Sequence, residues 1–400
     1  MNRNQFVIII LISLAIIAIS SCEKLSPKAP DDDELLDGPV DGLSHSQLQQ
    51  FLRGDGAFNT QVFTAETGLG PLFVATSCGS CHAGDGKGHP FTTLTRFGQY
   101  DSTGNQFMHQ GGPQLQNRAI PGHTPEQIPA GATSADFSPP ANTGLGFIEL
   151  VSDADILNMS DANDADGDGI SGVPNWNYIP WYVIPQPSAI KQNGKYIGRF
   201  GKKGAVHNLL QQTVNAYNQD MGVTSVFEPK DTYSGLEIDP EVSMQSVNDV
   251  VFYLQTLKAP IQRNQNDAEV QTGKQVFINT GCESCHKQTL YTGFSPVDAL
   301  SNKEFHPYTD LLLHDMEYIS DEGYTEGSAK TSEWRTAPLW GLGLAPNSQG
   351  GNYFLMHDGR AHSIEEAIMI HGGEAASSRN NFLNLSSSEK SAVLKFLESL

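Results

Sequence analysis

The sequence predicts a mainly α-helical protein made of two similar helical modules, with long irregular loops and a large insertion in the first module. An amphipathic helical pattern closes each half of the chain, at residues 242–257 and again at residues 392–400. Strand-like runs are few, and Gly and Pro interrupt much of the remaining sequence. Because the two closing segments are alike in pattern, we interpret the halves as an internal duplication.

The beginning of the chain, residues 1–21, has the pattern of a lipoprotein signal peptide. Arg3 precedes an apolar run over residues 6–19, which is shorter than the roughly 20 residues that span a bilayer. The run ends in two serines and Cys22, which predicts cleavage and lipidation at this cysteine; an ordinary signal peptide with a stray cysteine is the alternative. We therefore expect an exported bacterial lipoprotein, anchored in a membrane by its lipid and facing the periplasm or the cell surface.

Residues 22–44 are polar and rich in charge, which is typical of a flexible tether. Two modules follow, at residues 45–260 and 261–400, and the length of each is ordinary for a domain. The formal net charge of -21 at pH 7 excludes nucleic acid as an expected partner. A solvated secreted surface explains this charge, and attraction of a basic redox partner is the alternative.

Each module contains one Cys-x-x-Cys-His motif, formed by Cys78, Cys81 and His82 in the first and by Cys282, Cys285 and His286 in the second. In this pattern the two thiols bond to the vinyl groups of haem, and the adjacent histidine ligates the iron. A thioredoxin-like redox pair and a zinc site are the alternatives, but neither explains a histidine after the second cysteine in both copies. We therefore predict two covalently bound haem c groups in two cytochrome c-like modules.

The segments that precede the two motifs differ in regularity. Residues 270–277, before the second motif, have helical apolar spacing. Residues 63–73, before the first motif, are interrupted by Gly and Pro, which predicts a shorter or irregular helix. The first module is also much longer than the second, and the surplus lies around residues 100–200.

An acidic loop lies within this insertion. Asp164, Asp166 and Asp168 alternate with small residues before Gly169, as in loops that wrap oxygen ligands around Ca²⁺. The bidentate Glu of an EF-hand is replaced by Asn175, and no flanking helices are evident. We predict a Ca²⁺ site with these three aspartates as ligands, whose role is to fix the loop; a solvated acidic turn is the alternative.

Several ordered motifs carry a resemblance to a known family. They begin at Gly198-Arg-Phe-Gly, His306-Pro-Tyr-Thr-Asp, Glu333-Trp-Arg-Thr-Ala-Pro, His357-Asp-Gly-Arg and His371-Gly-Gly-Glu. On these motifs the chain resembles the di-haem cytochrome c peroxidase superfamily, and within it the peroxidase-type di-haem oxidoreductase family. The resemblance covers residues 52–400. Relatives have a Trp shortly after Gly-Arg-Phe-Gly, and Lys202 and Lys203 at this place put any transfer of the inter-haem mechanism in doubt.

The resemblance implies an exported di-haem oxidoreductase in which the C-terminal haem passes electrons to an N-terminal haem that reduces peroxide. The electron donor would be a redox protein or a small molecule. The alternative is a non-catalytic di-haem electron-transfer lipoprotein, including one that is accessory to metal uptake. A thiol oxidoreductase is not expected, because thioether bonds leave no free thiol in either motif.

The resemblance also implies the sixth ligand of the second haem. Relatives place a Met or Tyr about one helix after His357-Asp-Gly-Arg, and here His371 follows the predicted helix at residues 363–370. We therefore expect His286 and His371 to ligate this iron together. The alternatives are a structural or surface role for His371, and ligation by one of Met356, Met369, His314 or Met316.

Other residues are assigned supporting roles at the second haem. His357 is expected to lie near it, and Arg335 and Arg360 to pair with haem propionates, because a guanidinium forks onto carboxylates. A structural salt bridge is the alternative for each arginine. Four tryptophans are candidates for positions between the haems, with core packing as the alternative: Trp176, Trp181, Trp334 and Trp340.

The sequence does not single out one residue as the sixth iron ligand of the first haem. Candidates downstream of His82 are His89, His109 and His123, and we expect His109 or an open position. Peroxidases use polar side chains near this position to protonate and cleave a bound O–O bond. Gln114, Gln116 and Glu126 are eligible, with solvent-facing roles as the alternative. We assign His109, Gln114 and Glu126 as catalytic candidates.

Overall fold

The computed structural model describes residues 31–99, 106–107, 110, 112–317 and 321–400. The predicted signal peptide, Cys22 and His109 lie outside the described residues. Contacts divide the chain into a short unit, Met1–Leu35, whose described part contains the 3₁₀ turn Asp32–Glu34, and a second unit, Leu36–Leu400. In the described ranges, no helix is both long and apolar enough to cross a membrane.

The α-helices of the second unit are short to medium in length. In chain order they are α1 His45–Asn59, α2 Leu145–Glu149, α3 Asp153–Met159, α4 Leu209–Asn215, α5 Met244–Thr256, α6 Ala268–Asn279, α7 Ala345–Ser348, α8 Ile364–Ile370, α9 Ala376–Leu383 and α10 Ser387–Ser399. A π-helical turn, Ala216–Asp220, continues α4. The predicted closing helices are present as α5 and α10, and Ser386 and Glu389 form a capping box at α10.

The strands pair in two-stranded antiparallel sheets. The pairs are β1 Leu72–Phe73 with β3 Arg118–Ala119, β2 Leu94–Phe97 with β4 Ser134–Phe137, β5 Trp176–Asn177 with β6 Tyr196–Ile197, β7 Leu290–Tyr291 with β8 Glu304–Phe305, and β9 Leu313–Asp315 with β10 Glu333–Arg335. In the last pair Trp334 lies opposite His314.

The predicted fold class, mainly α-helical with two cytochrome c-like modules, is wrong. Helices account for 33% of the chain and strands for 11%, and the described residues form a mixture of small helices and small sheets without a clear all-helical cytochrome c-like arrangement. The strands have two to four residues, which is too short for an alternating apolar pattern to show in the sequence. Partners such as β2 and β4 are also separated by a long stretch of chain, which local periodicity cannot detect.

Two helix pairs are packed in the same way. Helix α1 packs against α5, and α6 packs against α10. Gly54 faces the backbone of Asp249 in the first pair, and Gly273 faces the backbone of Ala392 in the second, because only glycine permits so close an approach. The segment before the first motif, residues 63–73, is not helical; α1 lies further upstream, so the sequence located the first lead-in helix wrongly.

Each helix pair places an aromatic ring beside the histidine of its motif. The rings of Phe58 and Tyr253 in the first pair have centroids 5.4 Å apart, and Phe58 lies 5.9 Å from the ring of His82. In the second pair Phe277 lies 5.4 Å from Phe396 and 6.4 Å from His286. The hydrophobic cores around the two pairs therefore support the two motifs directly.

Candidate haem-binding site

A mostly apolar cavity of about 320 Å³ lies beside the second Cys-x-x-Cys-His motif. Cys282, Cys285 and His286 line it, and so does His371. Much of the wall is apolar, contributed by Phe277, Leu355, Ile364, Phe382, Val393 and Leu397. An apolar cavity with a few convergent metal-binding groups is what a porphyrin requires.

Both histidines of this cavity have the form that ligates a metal. Nδ1 of His286 lies 2.9 Å from the carbonyl oxygen of Tyr308, and Nδ1 of His371 lies 2.7 Å from that of Ala367. A carbonyl only accepts, so each Nδ1 carries the hydrogen and each Nε2 keeps its lone pair free. Burial lowers the pKa of His286 to about 4 and that of His371 below its ordinary value, which keeps both rings neutral.

His82 of the first motif repeats this arrangement. Its Nδ1 lies 3.0 Å from the carbonyl oxygen of Pro140, and burial lowers its pKa to about 4. Pro140 also lines the large cavity, which therefore extends from the second motif to the support of the first. Burial raises the pKa of the Cys78 thiol to about 12 and that of Cys81 above its ordinary value. Both thiols are thus neutral, and both cysteines are half-buried.

The other histidines near the first motif have local contacts. The backbone N–H of Phe91 donates to Nδ1 of His89 over 3.2 Å, and the ring of His123 packs edge-on against Tyr233. Neither histidine lines the large cavity. With His109 outside the described residues, the sixth ligand of the first haem stays a prediction.

Of the residues assigned to catalysis, Gln114 and Glu126 belong to the described part of the chain. The carboxylate of Glu126 accepts backbone N–H groups from Gly112, at 3.0 Å, and Gln116, at 2.8 Å. Burial raises the pKa of Glu126. The side chain of Gln114 is buried and donates to the carbonyl of Thr95 over 3.2 Å. The structure thus brings Gln114 and Glu126 to one ordered loop, and their catalytic role stays a prediction.

His314 is enclosed by carboxylates rather than available to iron. Its Nε2 lies 2.9 Å from Oδ2 of Asp310, and its Nδ1 lies 2.7 Å from Oε2 of Glu374. Burial alone would lower the pKa of His314, but hydrogen bonds with Asp310, Cys285 and Glu374 raise it to about 12. The ring is therefore an imidazolium with both nitrogens in use. It forms a clamp beside Cys285, whose Sγ lies 3.6 Å from Nδ1.

The clamp also connects the insertion to the second Cys-x-x-Cys-His motif. Ser171 donates through its hydroxyl to Oε1 of Glu374 over 2.6 Å and through its N–H to Oε2 over 3.1 Å. Glu374 follows His371 by three residues, so the insertion fixes the turn that leaves this histidine. Sequence reasoning noted Glu374 only within a motif and missed its partners, because they come from distant parts of the chain.

The acidic loop brings together a different set of aspartates from the predicted one. Carboxylate oxygens of Asp161, Asp164 and Asp166 all lie within 4.8 Å of one another. Asp168 instead accepts the backbone N–H of Ile170 over 2.8 Å. Asp161 was missed although it precedes the alternating pattern by only three residues. Calcium binding stays a prediction.

Five cationic side chains line the cavity: Lys87, Arg199, Lys202, Arg335 and Arg379. Arg199 forms an ion pair with Asp153, and Arg379 donates to the carbonyl of His371. Arg335 was predicted to bind propionates, and it is held by hydrogen bonds from Nε to the Gly201 carbonyl, at 2.9 Å, and from Nη1 to the Thr336 carbonyl, at 3.1 Å. Lys87 and Lys202 also line the cavity and were not predicted. In the described part of the chain, no carboxylate forms an ion pair with Lys87, Lys202, Arg335 or Arg379. Cations in an apolar cavity fit the carboxylates of a haem.

Arg360 has a different environment. Its guanidinium bonds to Asp358, with Nε 2.6 Å from Oδ2, and to Glu322, and it does not line the cavity. These contacts favour the alternative of a structural salt bridge. The role of Arg360 at a propionate stays a prediction.

His357 forms part of a stack on the cavity wall. Its ring lies 3.6 Å from that of Trp334, at an interplanar angle of 15°, and its Nε2 lies 2.9 Å from Oε1 of Glu322. The ammonium of Lys203 lies 3.9 Å from the centroid of Trp334. His357 therefore forms part of the cavity wall, and its supporting role at the second haem stays a prediction. Of the other tryptophans, Trp340 lines the cavity, whereas Trp181 is 78% exposed.

Comparison with known proteins identifies the family. A protein-family model described as "Di-haem oxidoreductase, putative peroxidase" matches residues 139–400. Among solved structures, the chain is similar to Kuenenia stuttgartiensis hydrazine synthase pressurised with 20 bar xenon, at 12% identity and a TM-score of 0.37, covering 94% of this chain and 98% of that one. A TM-score this low supports no conclusion, and no curated protein matches the chain.

The family match includes the second motif, His371 and the Trp334–Arg335 wall, whereas the first motif lies before the matched segment. It spans more than half of the sequence. The chain therefore belongs to the di-haem oxidoreductase family, a group of peroxidase type that uses haem.

Proposed function

We propose that the chain is an exported c-type di-haem peroxidase, in which the C-terminal site relays electrons and the N-terminal site reduces peroxide. One observation carries the proposal: His286 and His371 line the same cavity, and each is neutral with its Nδ1 bonded to a carbonyl. Two such rings would both be able to hold the iron of one haem, which would suit a relay and leave peroxide reduction to the other site. When bound, haem supplies one-electron redox chemistry and, where one axial position stays open, access of peroxide to iron.

Covalent attachment is part of the proposal. Cys282 and Cys285 line the cavity beside His286, and all four motif cysteines are free of disulfides. The clamp of Asp310, His314 and Glu374 fixes the chain next to Cys285, and Arg335 faces the cavity as a propionate partner. These side chains hold and orient the group.

At the N-terminal site we assign proton handling to His109, Gln114 and Glu126. Support comes from the two described members. Oε1 of Gln114 is buried and has no hydrogen-bond partner among the described residues. Burial keeps the pKa of Glu126 above its ordinary value, which favours a carboxyl that can hold a proton.

Export, lipidation of Cys22 and calcium binding belong to the same proposal. The signal-peptide pattern of residues 1–21 supports export, and c-type haem is attached outside the cytoplasm. Lipidation is tested by the mass of the mature protein, which should include the lipid in wild type and lack it in Cys22→Ala. The Cys22→Ala protein should also be absent from the membrane fraction.

The central experiment compares the wild-type holoprotein with His371→Ala and with His306→Ala, whose ring is half exposed and bonded to Thr289. We expect the oxidised wild type to show one low-spin and one high-spin haem, and to turn over peroxide with a reduced donor. His371→Ala should convert the low-spin signal to high spin, whereas His306→Ala should leave it unchanged. Acid–acetone extraction should leave both haems on the protein.

Two outcomes would contradict the proposal. Two low-spin haems in both the oxidised and the half-reduced protein, without peroxide turnover, indicate the alternative of a non-catalytic electron carrier. An unchanged low-spin signal in His371→Ala shows that another residue holds the sixth position.

A further inference from the structure

Two lysines on the cavity wall have no part in the function proposed above. Lys87 follows His82 by five residues, and Lys202 follows the Gly198-Arg-Phe-Gly segment. Both side chains line the cavity that contains His286 and His371. Each is half-buried, and in the described residues neither donates a side-chain hydrogen bond to the protein.

Lys202 lies at the junction of the two haem sites. Its carbonyl oxygen accepts the backbone N–H of Arg335 over 3.0 Å, and Arg335 belongs to the wall of the C-terminal site. On the other side, Lys87 follows His82 by five residues and lines the same cavity as Lys202. Pro140, which accepts from His82, lines the same cavity.

The carboxylates near this cluster are already in use. Asp358 acts on both lysines through its charge, but it is bonded to Arg360. Asp310 acts on Arg335 and is bonded to His314.

Without an added anion, the cluster is electrostatically unfavourable. Burial lowers the pKa of Lys87 to about 8 and that of Arg335 to about 10, and burial together with the charges of Lys87 and Arg335 lowers the pKa of Lys202 well below its ordinary value. Of the five cations on this mostly apolar wall, Arg199 is paired with Asp153 and Arg379 bonds to the carbonyl of His371. The remaining three, Lys87, Lys202 and Arg335, favour anions from outside the chain.

We propose that Lys202, with Lys87 and Arg335, forms a cationic site that binds propionates of both haems where the two sites meet, and that it raises their reduction potentials. The inference rests on the di-haem function proposed above. Each haem takes up one electron, and the added negative charge is stabilised by a neighbouring ammonium. A desolvated cation acts more strongly than a surface one because less water screens it. Lys202 is thus a positioning residue that couples the two sites electrostatically.

The test is a spectroelectrochemical titration of the holoprotein with soluble mediators. Lys202→Met should lower the reduction equilibrium constant of at least one haem about tenfold, which is 59 mV for a one-electron couple. Lys202→Arg keeps the charge and should stay within about twofold of wild type. Lys303→Met removes an exposed lysine that does not line the cavity and should also stay within about twofold.

The proposal would be overturned if the reduction equilibrium constants of both haems changed by less than about threefold in Lys202→Met and in Lys87→Met, with two haems retained in each variant. If Lys202→Met loses haem, Lys87→Met and Lys202→Gln decide by the same criterion. Peroxide turnover of the wild type is measured in parallel. A wild type without turnover whose potentials still respond to Lys202 refutes the peroxidase function alone, whereas an active wild type with unresponsive potentials refutes the cationic site alone.

Discussion

Alanine at two glycines of helix α1 should change stability in opposite directions. At Gly54 an added methyl group would clash with the carbonyl oxygen of Asp249 and lie 2.6 Å from Cβ of Tyr253. The backbone of Asp249 cannot move away without disturbing its own helix, and overpacking of this kind destabilises a protein by about 1–3 kcal/mol. The better helix propensity of alanine stabilises it by about 1 kcal/mol. At Gly56 nothing lies within 4 Å, so only the gain applies.

We therefore expect Gly54→Ala to lower the free energy of unfolding by about 1 kcal/mol, and by at most about 2 kcal/mol, and Gly56→Ala to raise it by about 1 kcal/mol. Urea unfolding followed by circular dichroism measures both in the holoprotein. Since α1 carries Phe58 against His82, Gly54→Ala should also reduce haem occupancy at the N-terminal site. Equal changes for the two variants would refute the close helix contact.

Further predictions concern charge and metal binding. Burial alone would raise the pKa of Glu374, but its hydrogen bond with His314 lowers it from 4.5 to about 2, so its stabilisation is present above pH 4.5 and lost as the pH falls towards 2. The melting temperature of Glu374→Gln should therefore fall less steeply than that of wild type over this range, and parallel profiles would contradict the clamp. Calcium added to chelator-treated protein should raise the melting temperature, and Asp164→Asn should abolish this; a wild type that gives no calorimetric binding signal counts against the site. Lys203→Met should lower the free energy of unfolding in urea by about 1–3 kcal/mol, because three backbone carbonyls lose their donor. The control Lys303→Met, at an exposed lysine, should change it by no more than about 0.5 kcal/mol. Similar values for the two variants would contradict the buried contacts of Lys203.

The sequence was most informative where a function depends on neighbouring residues. The Cys-x-x-Cys-His pattern located both motifs. The family resemblance at His357-Asp-Gly-Arg implied His371, which the structure places on the same cavity as His286. Helices α5, α8 and α10 were predictable from apolar periodicity and a serine cap. In each case the deciding signal lies within about twenty residues.

Features that depend on distant contacts were not predictable. The fold class was wrong because the short strands pair across long separations, as β2 does with β4. Lys87 and Lys202 come from different segments and carry no pattern that marks them as cavity residues. The partners of Glu374 were hidden for the same reason, since Ser171 belongs to the insertion.

The ammonium of Lys203, beside the indole of Trp334, has a consequence for damage by oxidants. Loss of an electron from the ring would create a second positive charge 3.9 Å from the first, so this neighbour makes the indole harder to oxidise. The three carbonyls that hold Lys203 keep the ammonium in place. Trp334 lies on the wall of the cavity to which we assign electron relay, and the ammonium of Lys203 disfavours one-electron oxidation of its indole.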